Sequence, residues 1–409
     1  MMLRVPKARA ALVVPALFLS ALLGLFVAQS RLDAYARAHV VTAPRFEVDP
    51  LWPKPLPHHW VLGNVIGVGV DANDHVFIVH RNDTFDRETE IGAVAQPKLS
   101  DCCVPAPPVL EFDPAGNLVN AWGGPGHGYD WPASNHGIAV DDKNNVWIGG
   151  NGVCRGVGVP DCPDGTIDSF ILKFTHDGKF LMQIGEPHQT TNSNSTTHFG
   201  RVAKISFDPG ANEAFVADGY GNKRVAVIDT DNGHIKRFWG AYGHVPSDSN
   251  LGPYNPDAPP AQQFRNPVHC AEPSVDGLLY VCDRVNDRIQ VFTKGGRFVK
   301  EKFIKPATRG DGSVWDIAFS RDPQQRYIYL ADGKNEKVYV LDRSSLEILT
   351  AFGDGGRQPG EFFAVHSIAT DSKGNIYTTE TYEGKRVQKF VYKGMGAVPA
   401  DQGVVWPGR

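Results

Sequence analysis

Short apolar segments alternate with turns rich in Asp, Gly and Asn along most of this chain. The segments have the length and the alternation of apolar and polar positions that β-strands show, and no long helical pattern interrupts them. Four segments form a unit, in which the second strand carries aromatic residues and the third ends at or near a phenylalanine. The unit recurs with a period of roughly 40 residues, which indicates an internal repeat.

Four strands per repeat at this period are typical of a β-propeller rather than of a β-sandwich. The sequence therefore predicts an all-β fold, a six-bladed β-propeller, over residues 42–395. The sixth unit has three clear strands, so we expect the segment at residues 45–49 to add the fourth and to close the ring by joining the chain ends. The predicted units cover residues 65–122, 137–184, 202–239, 268 to about 304, 314 to about 352, and 365 to about 392.

Residues 1–41 differ in composition from the rest of the chain. Basic residues precede an apolar run over residues 10–28, which is typical of a secretory signal peptide or of a single N-terminal membrane anchor. In either case we expect the rest of the chain to be exported, either to the periplasm or as a secreted protein, and a retained anchor would attach it to the membrane. Residues 396–409 form a C-terminal tail.

The six cysteines of an exported chain predict disulfides. One predicted pair flanks a short Gly/Pro loop, and the other faces across a predicted hairpin, where the alternative is two buried free thiols. The adjacent residues Cys102 and Cys103 form either a disulfide ring or two exposed thiols. The predicted pairs are Cys154 with Cys162 and Cys270 with Cys282.

Histidine recurs at one position of the repeat. First strands line the central channel of a propeller, and alternate blades of six are a third of a turn apart. Histidines on alternate blades are therefore expected to face the axis with threefold symmetry, like the three protein ligands of a catalytic zinc site, although imidazole also binds other divalent ions. The alternative is that each is a buried core residue, and the remaining histidines, which show no repeat logic, are expected to be mostly solvated. The equivalent first-strand residues are Ile66, His136, Ala203, His269, Trp315 and His366.

The ends of the second strands carry another aligned set. Arg81 and Arg284 occupy the same position, and Tyr220 lies one residue further on. Guanidinium groups beside a metal suit a substrate carboxylate, and a tyrosine in such surroundings is suited to act as a base. The alternative is that the tyrosine only packs and that the arginines only brace loops through salt bridges. The aspartates available for such bridges are Asp83, Asp283 and Asp287.

Two stretches carry a resemblance to a known family. The runs from Asp218 to Arg224 and from Asp283 to Arg288 resemble the NHL repeat, and the likeness extends over about residues 45–393. The aligned functional positions resemble those of the peptidyl-α-hydroxyglycine α-amidating lyases. This resemblance implies a six-bladed propeller that holds a catalytic zinc with three histidines and splits a peptidyl-α-hydroxyglycine into a peptide amide and glyoxylate.

The resemblance assigns the aligned residues to roles and also has departures. Ser367 stands where the family has an aspartate that helps hold a structural calcium, so the sequence does not support Ca²⁺ binding at this position. Ala364 replaces a methionine, and Gly221 replaces a cysteine, which removes one family disulfide. The implied roles are zinc ligands for His136, His269 and His366, a catalytic tyrosine for Tyr220, and the two catalytic arginines for Arg81 and Arg284.

The sequence predicts an exported, zinc-dependent lyase that is monomeric and acts on a small-molecule or peptide substrate bearing a carboxylate. One alternative is a non-catalytic NHL propeller that binds a peptide, glycan or protein in the periplasm; another is a metal enzyme acting on a different carboxylate. The net charge is only −4 and no basic tract follows the N-terminal region, so nucleic acid is not an expected partner. Long inserts at residues 82–106 and 243–263 are expected to be functional or disordered.

Overall fold

A computed structural model describes residues 40–153, 168–189 and 191–408 of the chain. Six antiparallel sheets of four strands each form the blades of a β-propeller, which confirms the predicted fold class. The first strand of each blade contacts the first strand of the next, and the first strand of blade 6 contacts that of blade 1. These six innermost strands therefore form a closed ring around the centre.

The strands of the first three blades follow one another in chain order from the centre outward. A short parallel pair, Trp60–Val61 with Val104–Pro105, lies beside blade 1 and anchors the first long insert. Blade 1 consists of Asn64–Val70, Val76–Arg81, Val109–Phe112 and Leu118–Trp122; blade 2 of Asn135–Val140, Val146–Gly150, Ile171–Phe174 and Phe180–Ile184; and blade 3 of Lys204–Asp208, Glu213–Asp218, Arg224–Asp229 and Ile235–Trp239.

Blade 6 differs from the others because it takes strands from distant parts of the chain. Its outermost strand, Val41–Asp49, pairs antiparallel with Arg386–Val398. Blade 4 consists of Val268–Pro273, Leu278–Asp283, Arg288–Thr293 and Phe298–Phe303; blade 5 of Asp316–Phe319, Tyr327–Asp332, Lys337–Asp342 and Ile348–Phe352; and blade 6 of Val365–Thr370, Ile376–Glu380, Arg386–Val398 and Val41–Asp49. Single 3₁₀ turns occur at Pro209–Ala211, Ala241–Gly243, Arg284–Asn286 and Tyr382–Gly384.

The hydrophobic core is divided among the joints between neighbouring blades. Phe215 of blade 3 belongs to the same buried cluster as Val281 of blade 4, and Tyr377 of blade 6 belongs to the same cluster as Val68 of blade 1. Each blade thus covers both of its apolar faces with its neighbours, which explains why the ring must be complete. Within the described ranges, no helix has the length and apolar character needed to cross a membrane.

Buried ion pairs hold the loops that follow three of the second strands. In each case the carboxylate that ends the second strand bonds to an arginine that begins the third strand, at 2.6–2.8 Å. Because both partners in blades 3 and 4 are fully buried, removal of either would leave an unpaired charge in the interior. The pairs are Asp218 with Arg224, Asp283 with Arg288, and Glu380 with Arg386.

Two disulfides are present among the described residues. Cys270 and Cys282 are directly opposite in the first hairpin of blade 4 and are bonded, as predicted. Cys102 and Cys103 are bonded to each other, which selects the disulfide ring from the two alternatives. The predicted pair of Cys154 and Cys162 lies outside the described residues, as do residues 1–39 of the N-terminal segment.

Candidate functional site

The three aligned histidines meet at the centre of the ring. His136, His269 and His366 are only 2%, 2% and 3% exposed. Their ring centroids are 4.8–5.3 Å apart, and the nitrogens that could serve as ligands all lie within 4.8 Å of one another. The repeat register therefore brings three imidazoles from three separate blades into one cluster.

Each imidazole is oriented by the blade that follows it. The Nδ1 atom of each histidine bonds to a backbone carbonyl, so the neutral ring carries its proton on Nδ1 and leaves the Nε2 lone pair available. The three carbonyls belong to the residues that occupy the histidine position in the blades without a histidine. The contacts are His136 with Ala203 O at 2.7 Å, His366 with Ile66 O at 2.6 Å, and His269 with Trp315 O.

Burial keeps all three imidazoles neutral. It lowers the pKa of His136 and His269 well below the ordinary value, and nearby positive charges act in the same direction. Burial and the Arg284 guanidinium lower the pKa of His366 to about 3. Neutral imidazoles with fixed tautomers are the donor set that Zn²⁺ and similar divalent ions bind, so these residues fit a metal centre.

Tyr220 places its hydroxyl against the histidine cluster. The phenolic oxygen is 3.0 Å from Nε2 of His136 and 3.1 Å from Nε2 of His269. Gly219 permits this position, because a Cβ there would lie 2.0 Å from the carbonyl oxygen of Val268. The loop can therefore lie directly against blade 4 only with glycine before the tyrosine.

Arg284 is held beside the tyrosine rather than against the aspartate that precedes it. Its Nη1 atom donates to the Tyr220 hydroxyl at 3.2 Å, and its guanidinium lies 4.5 Å from the Trp315 ring centroid. Its ion pair is with Asp311, at 3.5 Å, whereas Asp283 is bound by another arginine. Arg284 therefore braces the loop that carries Asp311 and also contacts the Tyr220 hydroxyl.

Arg81 approaches the centre from blade 1. It donates to Asn151 Oδ1 at 2.7 Å and to the Asn135 carbonyl at 3.3 Å. Burial lowers the pKa of the Arg81 guanidinium, while Tyr220 and Asp83 oppose this shift through their charges. Within the described part of the chain it makes no ion pair with a carboxylate, Asp83 included, so its charge remains available to an anionic ligand.

Tyr382 is a residue near the site that the sequence reasoning missed. It stands at the same offset from the end of its second strand as Tyr220, and extending the alignment to blade 6 would have found it. Burial and the Asp311 carboxylate raise its pKa, whereas Arg284 and Arg81 act in the opposite direction. The residue is nevertheless 48% exposed, so it lies at the solvent-facing edge of the site.

The layer beneath the histidines contains a resident cation. Lys204, which directly follows an aligned residue, bonds to Asp316 at 2.7 and 2.9 Å and to Glu272 at 2.8 Å. Ser367 is buried in the same layer and donates to the carbonyl that also binds the third histidine, at 3.0 Å. A lysine ammonium thus lies between the two carboxylates of this layer, and the serine serves as a hydrogen-bond donor.

His80 is buried within blade 1, next to Arg81 in the chain, and its burial has a measurable consequence. Its Nδ1 atom accepts from the Gly63 amide at 3.2 Å, and its Nε2 atom bonds to the Pro107 carbonyl at 3.0 Å. Burial lowers the pKa of His80 to about 4, so the unfolded chain takes up a proton from about pH 6.5 downward while the folded chain does not. This contribution to stability is complete above about pH 6.5 and is lost as the pH falls toward about 4.

We expect His80→Gln to remove this part of the acid sensitivity. The free energy of unfolding of the wild type should fall between pH 7 and pH 4 by on the order of 3 kcal/mol more than that of the variant. Urea denaturation at a series of pH values measures the difference. Parallel pH dependences for the two proteins would contradict the assignment.

The fold and site together define a class: six-bladed propellers with NHL-type repeats and a candidate metal centre of three histidines. No family model matches the chain. It is 25% identical over 345 residues to peptidyl-glycine alpha-amidating monooxygenase B of Xenopus laevis, covering 80% of this chain and 34% of that protein. It is 25% identical over 354 residues to peptidyl-alpha-hydroxyglycine alpha-amidating lyase 1 of Drosophila melanogaster, covering 82% of this chain and 58% of that protein.

The chain is also similar to a protein named for its repeats. It is 22% identical over 362 residues to NHL repeat-containing protein 3 of Mus musculus, covering 85% of this chain and 84% of that protein. Among solved structures, virginiamycin B lyase from Staphylococcus aureus aligns with a TM-score of 0.44 at 14% identity, over 88% of this chain and 89% of that chain. The chain thus spans about a third of the amidating monooxygenase and most of the NHL protein.

Proposed function

We propose that this protein is an exported, metal-dependent lyase that cleaves the C–N bond of an N-(α-hydroxy) amide to give an amide and glyoxylate. The observation that carries the proposal is the Tyr220 hydroxyl, which contacts two histidine Nε2 atoms and the Arg284 guanidinium. A general base, a carboxylate-binding cation and a metal-binding triad are the groups that this reaction needs.

The proposed reaction uses the metal-binding histidines and Tyr220. A divalent metal bound by the histidines would act as a Lewis acid toward a substrate oxygen. Tyr220 takes the proton of the substrate hydroxyl, the C–O bond becomes a carbonyl, and the C–N electron pair moves to the amide nitrogen. That nitrogen takes up a proton, so the products are the primary amide and glyoxylate, with no water consumed.

The arginines supply the recognition of the substrate. Arg284 and Arg81 would bind the carboxylate next to the reacting carbon, since planar guanidinium groups match a carboxylate bidentately. Arg284 is fixed by the Trp315 ring and Asp311, and Arg81 by two hydrogen bonds to blade 2. The carboxylate would thus be held while the tyrosine acts on the neighbouring hydroxyl.

We propose that the protein acts in an oxidising compartment as a monomer, attached to the membrane if the N-terminal segment is retained. The apolar run after the basic N-terminal residues supports export, and the disulfides Cys102–Cys103 and Cys270–Cys282 agree with such a compartment.

The test is release of glyoxylate from a model N-acyl-α-hydroxyglycine by the metal-loaded protein, with the metal content measured on the same sample. We expect turnover with this compound and none with the N-acylglycine that lacks the hydroxyl. The methyl ester should show a raised KM, because it removes the carboxylate that the arginines bind. Absence of glyoxylate from a protein that holds metal at the histidine triad would refute the lyase assignment.

A binding function is the second candidate, and the similarity to NHL repeat-containing protein 3 over most of both chains favours it. A non-catalytic propeller would bind a peptide, glycan or protein without turnover. Failure of the purified protein to bind a divalent metal at the histidine triad, with the fold intact, would favour this function.

A further inference from the structure

A second cluster of potential metal ligands lies at the joint between blades 1 and 2. It consists of Asp71, His75 and Glu111 from blade 1 and His176 from blade 2, and is called the Asp71 cluster below. Ligand atoms of Asp71, His75 and His176 lie within 4.8 Å of one another. Asp71 follows the end of its first strand, five residues beyond Ile66 at the level of the central triad. At the rise of a strand this is about 16 Å, so the two clusters are separate.

The two carboxylates of the cluster are buried, and the two histidines partly cover them. Asp71 is 7% and Glu111 2% exposed. His75 Nδ1 is 2.5 Å from Glu111 Oε1, and His176 Nε2 is 3.2 Å from the same oxygen and 3.7 Å from Asp71 Oδ2. The His176 ring also packs edge-on against Phe77, with centroids 5.1 Å apart.

The equivalent turns in blades 2 and 6 show what the Asp71 carboxylate lacks. There the Oδ2 atom of the aspartate in the turn accepts one hydrogen bond from an asparagine side-chain amide and another from a tryptophan or tyrosine side chain. In blade 1 these two positions are occupied by His75 and Phe77, so Asp71 Oδ2 is buried and has no hydrogen-bond donor. The equivalent contacts are Asn145 and Trp147 to Asp141 Oδ2 at 3.1 and 2.8 Å, and Asn375 and Tyr377 to Asp371 Oδ2 at 2.7 and 3.0 Å.

Glu111 is negatively charged at a position where blades 2 and 6 each carry a lysine. It pairs with Phe77 in the same register in which Lys173 pairs with Trp147 and Lys389 pairs with Tyr377. Each lysine brings a cation to the joint and donates to a carbonyl of the next blade, at 3.0 Å for Lys173 and 2.8 Å for Lys389. In blade 1 the lysine is replaced by a second carboxylate, so the joint needs a positive charge from another source.

His176 lies on the blade 2 side of the joint, at the position whose backbone carbonyl accepts from a lysine at the other two joints. It follows Phe174 by two residues, as Pro114 follows Phe112 and Thr230 follows Ile228. Pro114 and Thr230 provide the carbonyls that accept from the lysines. At two joints a lysine thus donates to a carbonyl of the next blade. At the joint between blades 1 and 2, the Glu111 carboxylate contacts the His176 imidazole instead.

We propose that the Asp71 cluster is a structural site for a divalent transition metal, held by Asp71, Glu111, His75 and His176. Two imidazoles and two carboxylates form a four-ligand set that suits Zn²⁺, and a site with four protein ligands leaves no open position for catalysis. Because His176 belongs to blade 2 and the other ligands to blade 1, the metal would fasten the two blades together. The proposal does not depend on the lyase activity.

The test counts Zn²⁺ ions bound per chain after chelator treatment of the full-length protein, by calorimetric titration and elemental analysis. The control variant His75→Asn/Phe77→Trp/Glu111→Lys installs the arrangement of blade 2, so it retains a satisfied joint. We expect two ions for the wild type, one for this variant, one for His269→Ala, and none for the combined variant. His176→Asn, at a half-exposed position, should also bind one ion.

One ion in the wild type, retained by both Asp71-cluster variants and lost in His269→Ala, would overturn the proposal. The cluster would then consist of imidazolium–carboxylate pairs only. Thermal unfolding gives a second readout: Zn²⁺ should raise the Tm of His269→Ala through the Asp71 cluster and leave the Tm of the combined variant unchanged. Equal responses of these two proteins would contradict a metal at the blade joint.

Discussion

Replacing His269 with alanine is expected to remove the metal ion bound at the centre of the ring and to lower turnover by about 10³-fold or more. The substitution deletes one of three buried imidazoles whose potential ligand nitrogens lie within 4.8 Å of one another. Two remaining imidazoles hold a divalent ion weakly, and loss of the Lewis acid removes several kcal/mol of transition-state stabilisation. Elemental analysis together with the glyoxylate assay measures both effects.

His234→Ala is the matched control for this variant, because His234 is an exposed histidine in a turn of blade 3. It should retain wild-type metal content and turnover. The central ion is distinguished from an ion at the Asp71 cluster by making the substitution in the background that carries the blade 2 arrangement. Unchanged metal content of His269→Ala in that background would show that the histidine triad is a packing feature.

Replacing Tyr220 with phenylalanine is expected to lower kcat by roughly 10²–10⁴-fold while the metal is retained. The change deletes one oxygen, which contacts two histidine nitrogens and Arg284, and leaves the ring and its packing in place. KM for the model substrate should change little, because the arginines that bind the carboxylate are untouched. Steady-state kinetics with parallel metal analysis separates these effects.

Tyr254→Phe is the corresponding control, since Tyr254 belongs to the second long insert and its hydroxyl donates to the Pro306 carbonyl rather than to a residue of the site. It should leave kcat unchanged. Arg284→Lys offers the opposite kinetic pattern, a raised KM, because lysine cannot reproduce the planar contact over Trp315. Turnover of Tyr220→Phe at the wild-type rate would exclude the tyrosine as the base.

The repeat made the central site predictable from sequence. The alignment of the units places His136, His269 and His366 at the same position of the repeat. Because the first strands form a closed ring, equivalent residues lie at the same level around its centre and therefore close together. The same reasoning located Arg81 and Arg284 at the ends of their strands. The fold class followed from the period and the number of strands per unit.

Contacts between unequal positions of the repeat could not be predicted in this way. The stacking of Arg284 on Trp315 joins the residue after a second strand to the residue before the first strand of the next blade, and the ion pair of Arg284 with Asp311 depends on the shape of a connecting loop. The Asp71 cluster could not be predicted from the alignment for the same reason, because His75 and His176 occupy different repeat positions in different blades. The sequence predicts that most histidines outside the triad are solvated, whereas these two lie against the buried Glu111.

The carbonyls that orient the three imidazoles give the central site an unusual sensitivity. Each blade governs one imidazole, either by carrying it or by supplying the carbonyl that fixes its ring. The carbonyls of blades 1, 3 and 5 therefore fix the ring orientations of the histidines in blades 6, 2 and 4, respectively. A shift of Ile66, Ala203 or Trp315 would misalign a ligand without touching it, so loss of activity should map to all six blades and not only to the three that bear histidine.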